Sequence, residues 1–217
     1  MPKKDRDYAV RIGAAGWEHP AWSDTFYPED LPSEWRLAYY ANAFPVVLMP
    51  ARRLVAAGDG EIADWRELAD TGFRVLLEVV PHEIDSGLLE RVKALGDTAG
   101  GWVLGEGDGT GLEAALAELA ASGLPVALED GTLAVSRAEE DSPGRVWRGE
   151  GPSTGLEQGR LAVIRVPAGE ATPSRLRDWL ETGLAVQDGR REVVLILEGA
   201  PPPVETLEQA QLLLELL

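Results

Sequence analysis

The chain has 217 residues, 45% of them hydrophobic, and a formal net charge of −17 from 37 acidic and 20 basic residues. This length suits one domain over residues 1–217, and the acidic excess argues against nucleic-acid binding, because a protein that follows phosphates needs clustered Lys and Arg. The sequence has no cysteine, no apolar run of bilayer length and no signal-peptide core, which excludes disulfides and thiolate catalysis and predicts a cytoplasmic protein that contacts no membrane.

The first 128 residues alternate short strands with helices. Strands are predicted at residues 8–13, 45–49, 74–80, 101–105 and 125–128, and helices at residues 33–43, 61–70, 86–95 and 112–122. Ser33 and either Asp85 or Ser86 can cap helix N-termini, and Gly72 ends one helix. Alternation of this kind is typical of a parallel sheet with helices on its outer face.

The pattern changes after residue 128. Residues 130–159 are rich in Gly, Asp, Glu, Arg and Ser, and only residues 132–135 and 145–147 resemble strands. Regular elements then return as a strand at 160–166, a helix, a strand at 192–197 and a helix at 204–217. Thr172 as cap and Pro173 in the first turn mark the start of the first of these helices. The sequence thus predicts seven clear strands and one uncertain stretch.

Aromatic residues are concentrated in the first strand and in the loop and helix after it. The run reads Tyr8-Ala-Val-Arg11-Ile-Gly13, Gly16-Trp17, Trp22, Phe26-Tyr27-Pro28, Trp35 and Tyr39-Tyr40. In residue type, spacing and order it resembles the opening of the YecE-like proteins (domain of unknown function 72), which implies a TIM-type α/β barrel. An open doubly wound sheet gives a similar alternation, so the resemblance, and not the periodicity, favours the barrel. Because a full barrel has eight strands, we expect one that is shortened or irregular around the sixth βα unit.

The strand ends depart from the pattern that the resemblance implies. After the second strand, relatives carry an acid, an amide, hydroxyls and aromatics, where this chain has the run from Val47 to Leu54. Glu78 stands where a Lys is usual, whereas Glu129 and Arg165 match the fifth and seventh strands. Since active sites of such barrels lie at the C-terminal ends of strands, we expect a divergent member that has lost or replaced the ancestral site.

Glu129 and Arg165 are therefore the candidate catalytic residues. If they face each other across an open pocket, the Arg fork would orient a carboxylate or phosphate, and the Glu would act as a base or bind a sugar hydroxyl. The alternative is a buried structural ion pair that holds the barrel mouth together. Whether the two side chains line an open pocket or are buried against each other separates these hypotheses.

The candidate binding residues lie in the first loop and around the end of the third strand: Trp17, His19, Trp22, Tyr27, Glu78 and His82. The aromatic members either stack on a ring-shaped ligand or pack a long first loop against the barrel. The acids and histidines, together with Glu18, Glu83, Glu106, Asp108 and Glu198, suit a divalent metal chemically but lack fixed ligand spacing, so no metal and no cofactor is predicted. The glycine-rich run 105–111 carries acids that would repel phosphate, which favours a solvated loop.

These observations favour a small-molecule-binding or interaction protein without the family's catalytic set. The alternative is an enzyme that acts through Glu129 and Arg165 on an anionic sugar-like substrate, and a small anionic molecule is the expected partner. No Ser–His–Asp signature is present, and the turn after the first strand lacks the third glycine of a Rossmann motif. We further expect the loop from Trp17 to Tyr27 to cover the C-terminal mouth of the barrel, and residues 136–158 to contain no full helix.

Overall fold

Eight parallel strands close into a barrel in chain order. A computed structural model describes residues 9–23, 25–106, 111–129 and 142–217. The strands are β1 (Arg11–Ala15), β2 (Val46–Pro50), β3 (Arg74–Val79), β4 (Ala99–Leu104), β5 (Val126–Leu128), β6 (Gly144–Trp147), β7 (Leu161–Pro167) and β8 (Glu192–Glu198). The predicted TIM-type barrel is confirmed. The one strand that the sequence left uncertain is β6, which lies within residues 130–159.

The helices of the described residues lie between the strands or after the last one. They are α1 (Arg36–Ala43), α2 (Ala51–Ala56), α3 (Asp59–Glu67), α4 (Ser86–Leu95), α5 (Leu112–Ala121), α6 (Pro173–Val186) and α7 (Val204–Leu216). Two capping predictions are confirmed, since the Asp85 carboxylate accepts a hydrogen bond from the Leu88 amide at 2.8 Å and Gly72 adopts a φ of 78° after the α3 region. The predicted Ser33 cap is wrong, because Ser33 lies in a short 3-10 turn (Ser33–Trp35) that precedes α1 and its side chain makes no capping bond. None of the described helices is both long and apolar enough to cross a membrane.

The sixth βα unit has no α-helix between β6 and β7, because residues 148–160 form turns. Gly149 has a φ of 78°, and a Cβ there would lie 2.7 Å from the indole nitrogen of Trp179. That indole nitrogen also donates to the Gly149 carbonyl at 3.0 Å, so the connection is fixed to α6. The predicted absence of a helix is confirmed for residues 142–158, whereas residues 136–141 and the strand-like piece 132–135 lie outside the described residues.

Side chains that alternate along the strands build two separate apolar layers. The barrel interior is filled by Val46, Leu48, Leu76, Val103, Ala127, Leu161, Val163, Val194 and Ile196. The outward side chains pack with the helices in a second, larger cluster. Gly13 is required where β1 meets β2, because a Cβ there would lie 1.9 Å from the Val46 carbonyl oxygen. The interior is therefore a packed core, and polar chemistry is confined to its two ends.

The aromatic residues of the first loop belong to the outer layer. Trp17 meets Trp65 of α3 edge to face at 5.6 Å, and Trp22 stacks on Tyr40 of α1 at 6.1 Å. The indole of Trp22 also donates to a carbonyl in the loop after β8. Their expected burial is confirmed, and their contacts hold the first loop against α1, α3 and the loop after β8.

Candidate functional site

Three glutamates converge at the C-terminal end of the barrel. Glu78 on β3, Glu129 directly after β5 and Glu198 at the end of β8 each follow, by two residues, a side chain that packs inside the barrel. Because side chains alternate along a strand, all three carboxylates face the interior. The strands, which are far apart in sequence, thus place three acids around one point.

Arg165 of β7 occupies that point. Its Nη1 donates to Glu78 Oε1 at 2.5 Å and to Glu129 Oε1 at 2.6 Å, and its Nε donates to Glu198 Oε1. Only 12% of the Arg165 side chain and 9% of the Glu129 side chain are exposed. Burial lowers the pKa of Arg165, but the charges and hydrogen bonds of the glutamates outweigh it, so the pKa is raised above its usual value and the guanidinium stays charged.

Arg148, the first residue after β6, forms a second tier above Arg165. Its Nη2 donates to Glu129 Oε2 at 2.6 Å, and its Nη1 donates to Glu198 Oε2 at 3.0 Å. Glu129 and Glu198 therefore each bind one guanidinium through each carboxylate oxygen. In contrast to Arg165, the Arg148 side chain is 51% exposed. We call these five residues the mouth network; its three carboxylates and two guanidiniums leave one negative charge in excess.

Two of the remaining predicted binding residues, His19 and Tyr27, bond to backbone carbonyls of β1 and of the first loop. His19 Nε2 is 2.9 Å from the Ala15 carbonyl oxygen. Because a carbonyl can only accept, Nε2 is the donor in this hydrogen bond. The His19 ring also packs edge to face against Trp22. His82 is exposed in the short turn after β3. The Tyr27 hydroxyl donates to the Trp17 carbonyl at 2.6 Å, and burial raises the pKa of Tyr27 above its usual value.

Sequence reasoning missed Arg148 and considered Glu198 only as a metal ligand. Arg148 follows directly after the strand-like piece 145–147, so the rule that places chemistry at strand ends would have found it had this piece been counted among the barrel strands. Within the described ranges, no group of three or more His, Cys, Asp or Glu side chains is arranged to hold a metal ion. The positive charge that the three glutamates surround is therefore the guanidinium of Arg165 and not a metal ion.

A cavity of about 540 Å³ lies at the other end of the barrel. Its walls come from α5 and from the segments that precede β5, β6 and β7, including Leu116, Leu124, Pro125, Pro143 and Arg160. None of the predicted site residues lines it. This cavity and the mouth network are therefore separate features.

The comparison with protein families gives one match within the chain. The family model described as "Protein of unknown function DUF72" matches residues 11–82. These residues run from β1 to the turn after β3, so the match includes the first loop and Glu78 but none of the other four members of the mouth network. No curated protein matches the sequence.

Solved structures of low sequence identity also match the chain. A DUF72 family protein from Thermotoga maritima is 14% identical, with 96% of this chain and 100% of that chain covered and a TM-score of 0.40. A D-psicose 3-epimerase in the presence of D-fructose is 11% identical over 95% of this chain and 98% of its own, with a TM-score of 0.43. Orotidine 5′-monophosphate decarboxylase from Methanocaldococcus jannaschii is 12% identical over 94% of this chain and 100% of its own, with a TM-score of 0.37.

Proposed function

We propose that this chain is a divergent member of the DUF72 (YecE-like) family, whose model matches residues 11–82, and that it is a small-molecule-binding barrel that has lost the family's ancestral catalytic set. The observation that carries this proposal is the coordination of Arg165 by three carboxylates. A guanidinium held in this way stabilises the barrel mouth. It has few donors left with which to orient a substrate.

Glu129 is poorly suited to general base catalysis in this arrangement. A general base must have an oxygen within hydrogen-bond reach of the substrate proton. Both oxygens of Glu129 already accept charged hydrogen bonds, one from Arg165 and one from Arg148. The carboxylate is also nearly inaccessible to solvent, so a substrate would first have to displace a partner.

The charge of the mouth also argues against the alternative, an enzyme that binds an anionic sugar-like substrate through Arg165. An anion that approached Arg165 would meet three carboxylates and would find Nε and Nη1 already bonded to them, so that of this guanidinium only the N–H groups of Nη2 would face no competition. The exposed parts of the mouth network are Arg148 and portions of Glu78 and Glu198. This surface favours a ligand that donates hydrogen bonds or carries positive charge.

The deciding experiment combines activity with ligand-dependent melting. Purified protein is assayed for turnover of phosphosugars and nucleotides, with and without Mg²⁺ or Mn²⁺, and its melting temperature is measured with a panel of phosphate and carboxylate ligands. We expect no turnover and no anion-induced rise in melting temperature. A rise in the wild type that disappears in Arg165→Ala would contradict the proposal and support the enzyme alternative. Arg177→Ala, which removes an exposed arginine paired with Glu181 in the same helix, is the matched charge control.

A further inference from the structure

The cavity at the N-terminal end of the barrel combines a largely apolar wall with one charged residue. It measures about 540 Å³, a volume within the range of small-molecule pockets. Helix α5 contributes Leu116 and Ala120 to its wall, and the turn before β5 contributes Leu124. Among the described residues that line it, Arg160 alone is charged, and no Asp or Glu is present. In a chain of net charge −17, a cavity that presents only a cation is suited to an anion.

Arg160 lies at the exposed edge of this cavity and is anchored at both ends. It directly precedes β7, and its carbonyl accepts from the Glu192 amide at 2.9 Å. Its Nη2 donates to the Gly123 carbonyl at 3.1 Å, so the side chain reaches from β7 to the turn after α5. Within the described ranges this is the one hydrogen bond of its side chain, and no carboxylate pairs with it. Nε and Nη1 therefore remain to bind an anion, and the fork of a guanidinium is well suited to a carboxylate.

Neighbouring hydrogen bonds hold the wall of the cavity in place. The Pro125 carbonyl accepts from the Trp102 amide of β4 at 2.8 Å. The Trp102 indole donates to Ser122 Oγ at 3.0 Å, and this hydroxyl donates to the Leu119 carbonyl at 2.6 Å. The turn between α5 and β5 is thus fixed both to β4 and to its own helix. A pocket that is formed before the ligand arrives favours binding, because little has to be ordered on association.

We propose that this cavity binds an amphipathic monocarboxylate, with the carboxylate on Arg160 and an aliphatic chain against Leu116 and Leu124. The inference rests on the proposed small-molecule binding and names its place and its ligand class. Burial of the chain supplies most of the affinity, and the charged hydrogen bonds to Arg160 fix the orientation. The hydrophilic phosphates and carboxylates of a melting panel have no apolar part to enter the cavity, so they bind only weakly here.

Octanoate is a suitable probe, and octanamide, which has the same chain without the charge, is its control. Affinities are measured by isothermal titration calorimetry at low ionic strength for the wild type, Arg160→Gln and Arg177→Gln. We expect Arg160→Gln to bind octanoate at least about tenfold more weakly than the wild type and to bind octanamide like the wild type. Arg177→Gln makes the same change in net charge at an exposed site and should bind both like the wild type. Equal octanoate affinity of Arg160→Gln and the wild type would overturn the inference.

A second pair of substitutions locates the ligand. Ala120→Trp fills the cavity from α5, whereas Ala114→Trp adds the same ring at an exposed position of this helix that does not line it. Only Ala120→Trp should abolish octanoate binding. No binding by the wild type, or binding that Ala120→Trp leaves unchanged, would overturn the inference. A wild-type dimer that Ala120→Trp dissociates would also overturn it, because a second copy of the chain would then fill the cavity.

The proposed function is tested separately. Turnover, or a melting rise with hydrophilic anions that Arg165→Ala removes, would contradict the proposed loss of the catalytic set. Neither result depends on Arg160 or on octanoate, since Arg165 does not line the cavity. Failure of octanoate binding would in turn leave the interpretation of the mouth network unchanged.

Discussion

Charged side chains close the apolar barrel interior at both ends, with an excess of negative charge at one end and an excess of positive charge at the other. At the C-terminal end the mouth network has more carboxylates than guanidiniums. At the N-terminal end Glu192 of β8 forms an ion pair with Arg11 of β1 at 2.9 Å, and Arg74 of β3 adds a second positive charge nearby. We call these three residues the floor group. Burial raises the pKa of Glu192 above its usual value even though both arginines lower it.

The difference between the two ends shows how much a buried charge depends on the number of its partners. Each carboxylate of Glu129 and Glu198 has a separate guanidinium on each oxygen, and Arg165 links three strands. In the floor group the Arg11–Glu192 ion pair joins the adjacent strands β1 and β8, and the burial of Glu192 outweighs the effect of this pair on the pKa of the carboxyl. The mouth network is cross-linked by several ion pairs. In the floor group, by contrast, burial disfavours the charged form of Glu192 more than the arginines favour it. Four substitutions test this contrast, from the largest expected effect to the smallest.

Arg165→Ala should cause the largest loss. Removing the central guanidinium leaves Glu129 buried beside two further carboxylates with only Arg148 to compensate them. Breaking a buried pair from one side costs about 3–5 kcal/mol of unfolding free energy, which urea denaturation measures. Arg177→Ala is the control, and a loss for Arg165→Ala no larger than for this control would show that the mouth network is not cross-linked as described.

Arg11→Ala should destabilise the protein less, by about 1–3 kcal/mol. Glu192 loses its ion-pair partner, but the pKa of this carboxyl is already raised, so it can take up a proton instead of remaining an uncompensated charge. Arg11 also donates to the Gly72 carbonyl at 2.7 Å, and that bond is lost as well. Urea denaturation of both arginine variants side by side gives the comparison. A larger loss at the floor than at the mouth would reverse the proposed contrast.

Glu192→Gln should change the pH dependence of stability. The folded-state pKa of Glu192 is raised, so its contribution is fully present below the unfolded-state pKa and is lost as the pH rises through the folded-state pKa. The stability of the wild type relative to Glu192→Gln should therefore fall with rising pH through the acidic range. Melting curves from about pH 4 to about pH 8 measure this difference, and a difference that increases with pH would contradict the raised pKa.

Arg148→Ala should have the smallest effect on stability. Its side chain is half exposed, and Glu129 and Glu198 keep their bonds to Arg165 when it is removed. Exposed ion pairs contribute about 0–1 kcal/mol, so the loss in urea denaturation should stay within that range. A loss comparable to that of Arg165→Ala would mean that Arg148 stabilises the folded protein as much as Arg165 does.

Local signals in the sequence predicted most of the fold. Thr172 and Pro173 mark the start of α6, where the Thr172 hydroxyl accepts from the Arg175 amide at 3.3 Å. Helix α2 was missed because six residues after Pro50 are too few to show helical periodicity. Strand β1 was placed too early, since Gly13 and the alanines after it have low strand propensity and are held by their pairing with β2 and β8.

The candidate site was predictable only as separate residues. The strand-end rule, applied together with the family resemblance, identified Glu78, Glu129 and Arg165. Their mutual contact depends on the closure of the barrel, because Glu78 and Arg165 are 87 residues apart in sequence. The sequence left open whether Glu129 and Arg165 line a pocket or form an ion pair. The structure decides this through Glu198 and Arg148, which contact the same two residues or their partners from two other strands.

Barrel closure also has a kinetic consequence. The pairing of β1 with β8 joins nearly opposite ends of the described chain, and such long-range contacts form late because loop closure costs entropy first. The bonds of Arg165 to Glu78 and Glu198 need the same closure. Interactions that form after the folding transition state mainly slow unfolding. The mouth network should therefore lower the rate of unfolding and extend the lifetime of the native state, while leaving the rate of folding nearly unchanged.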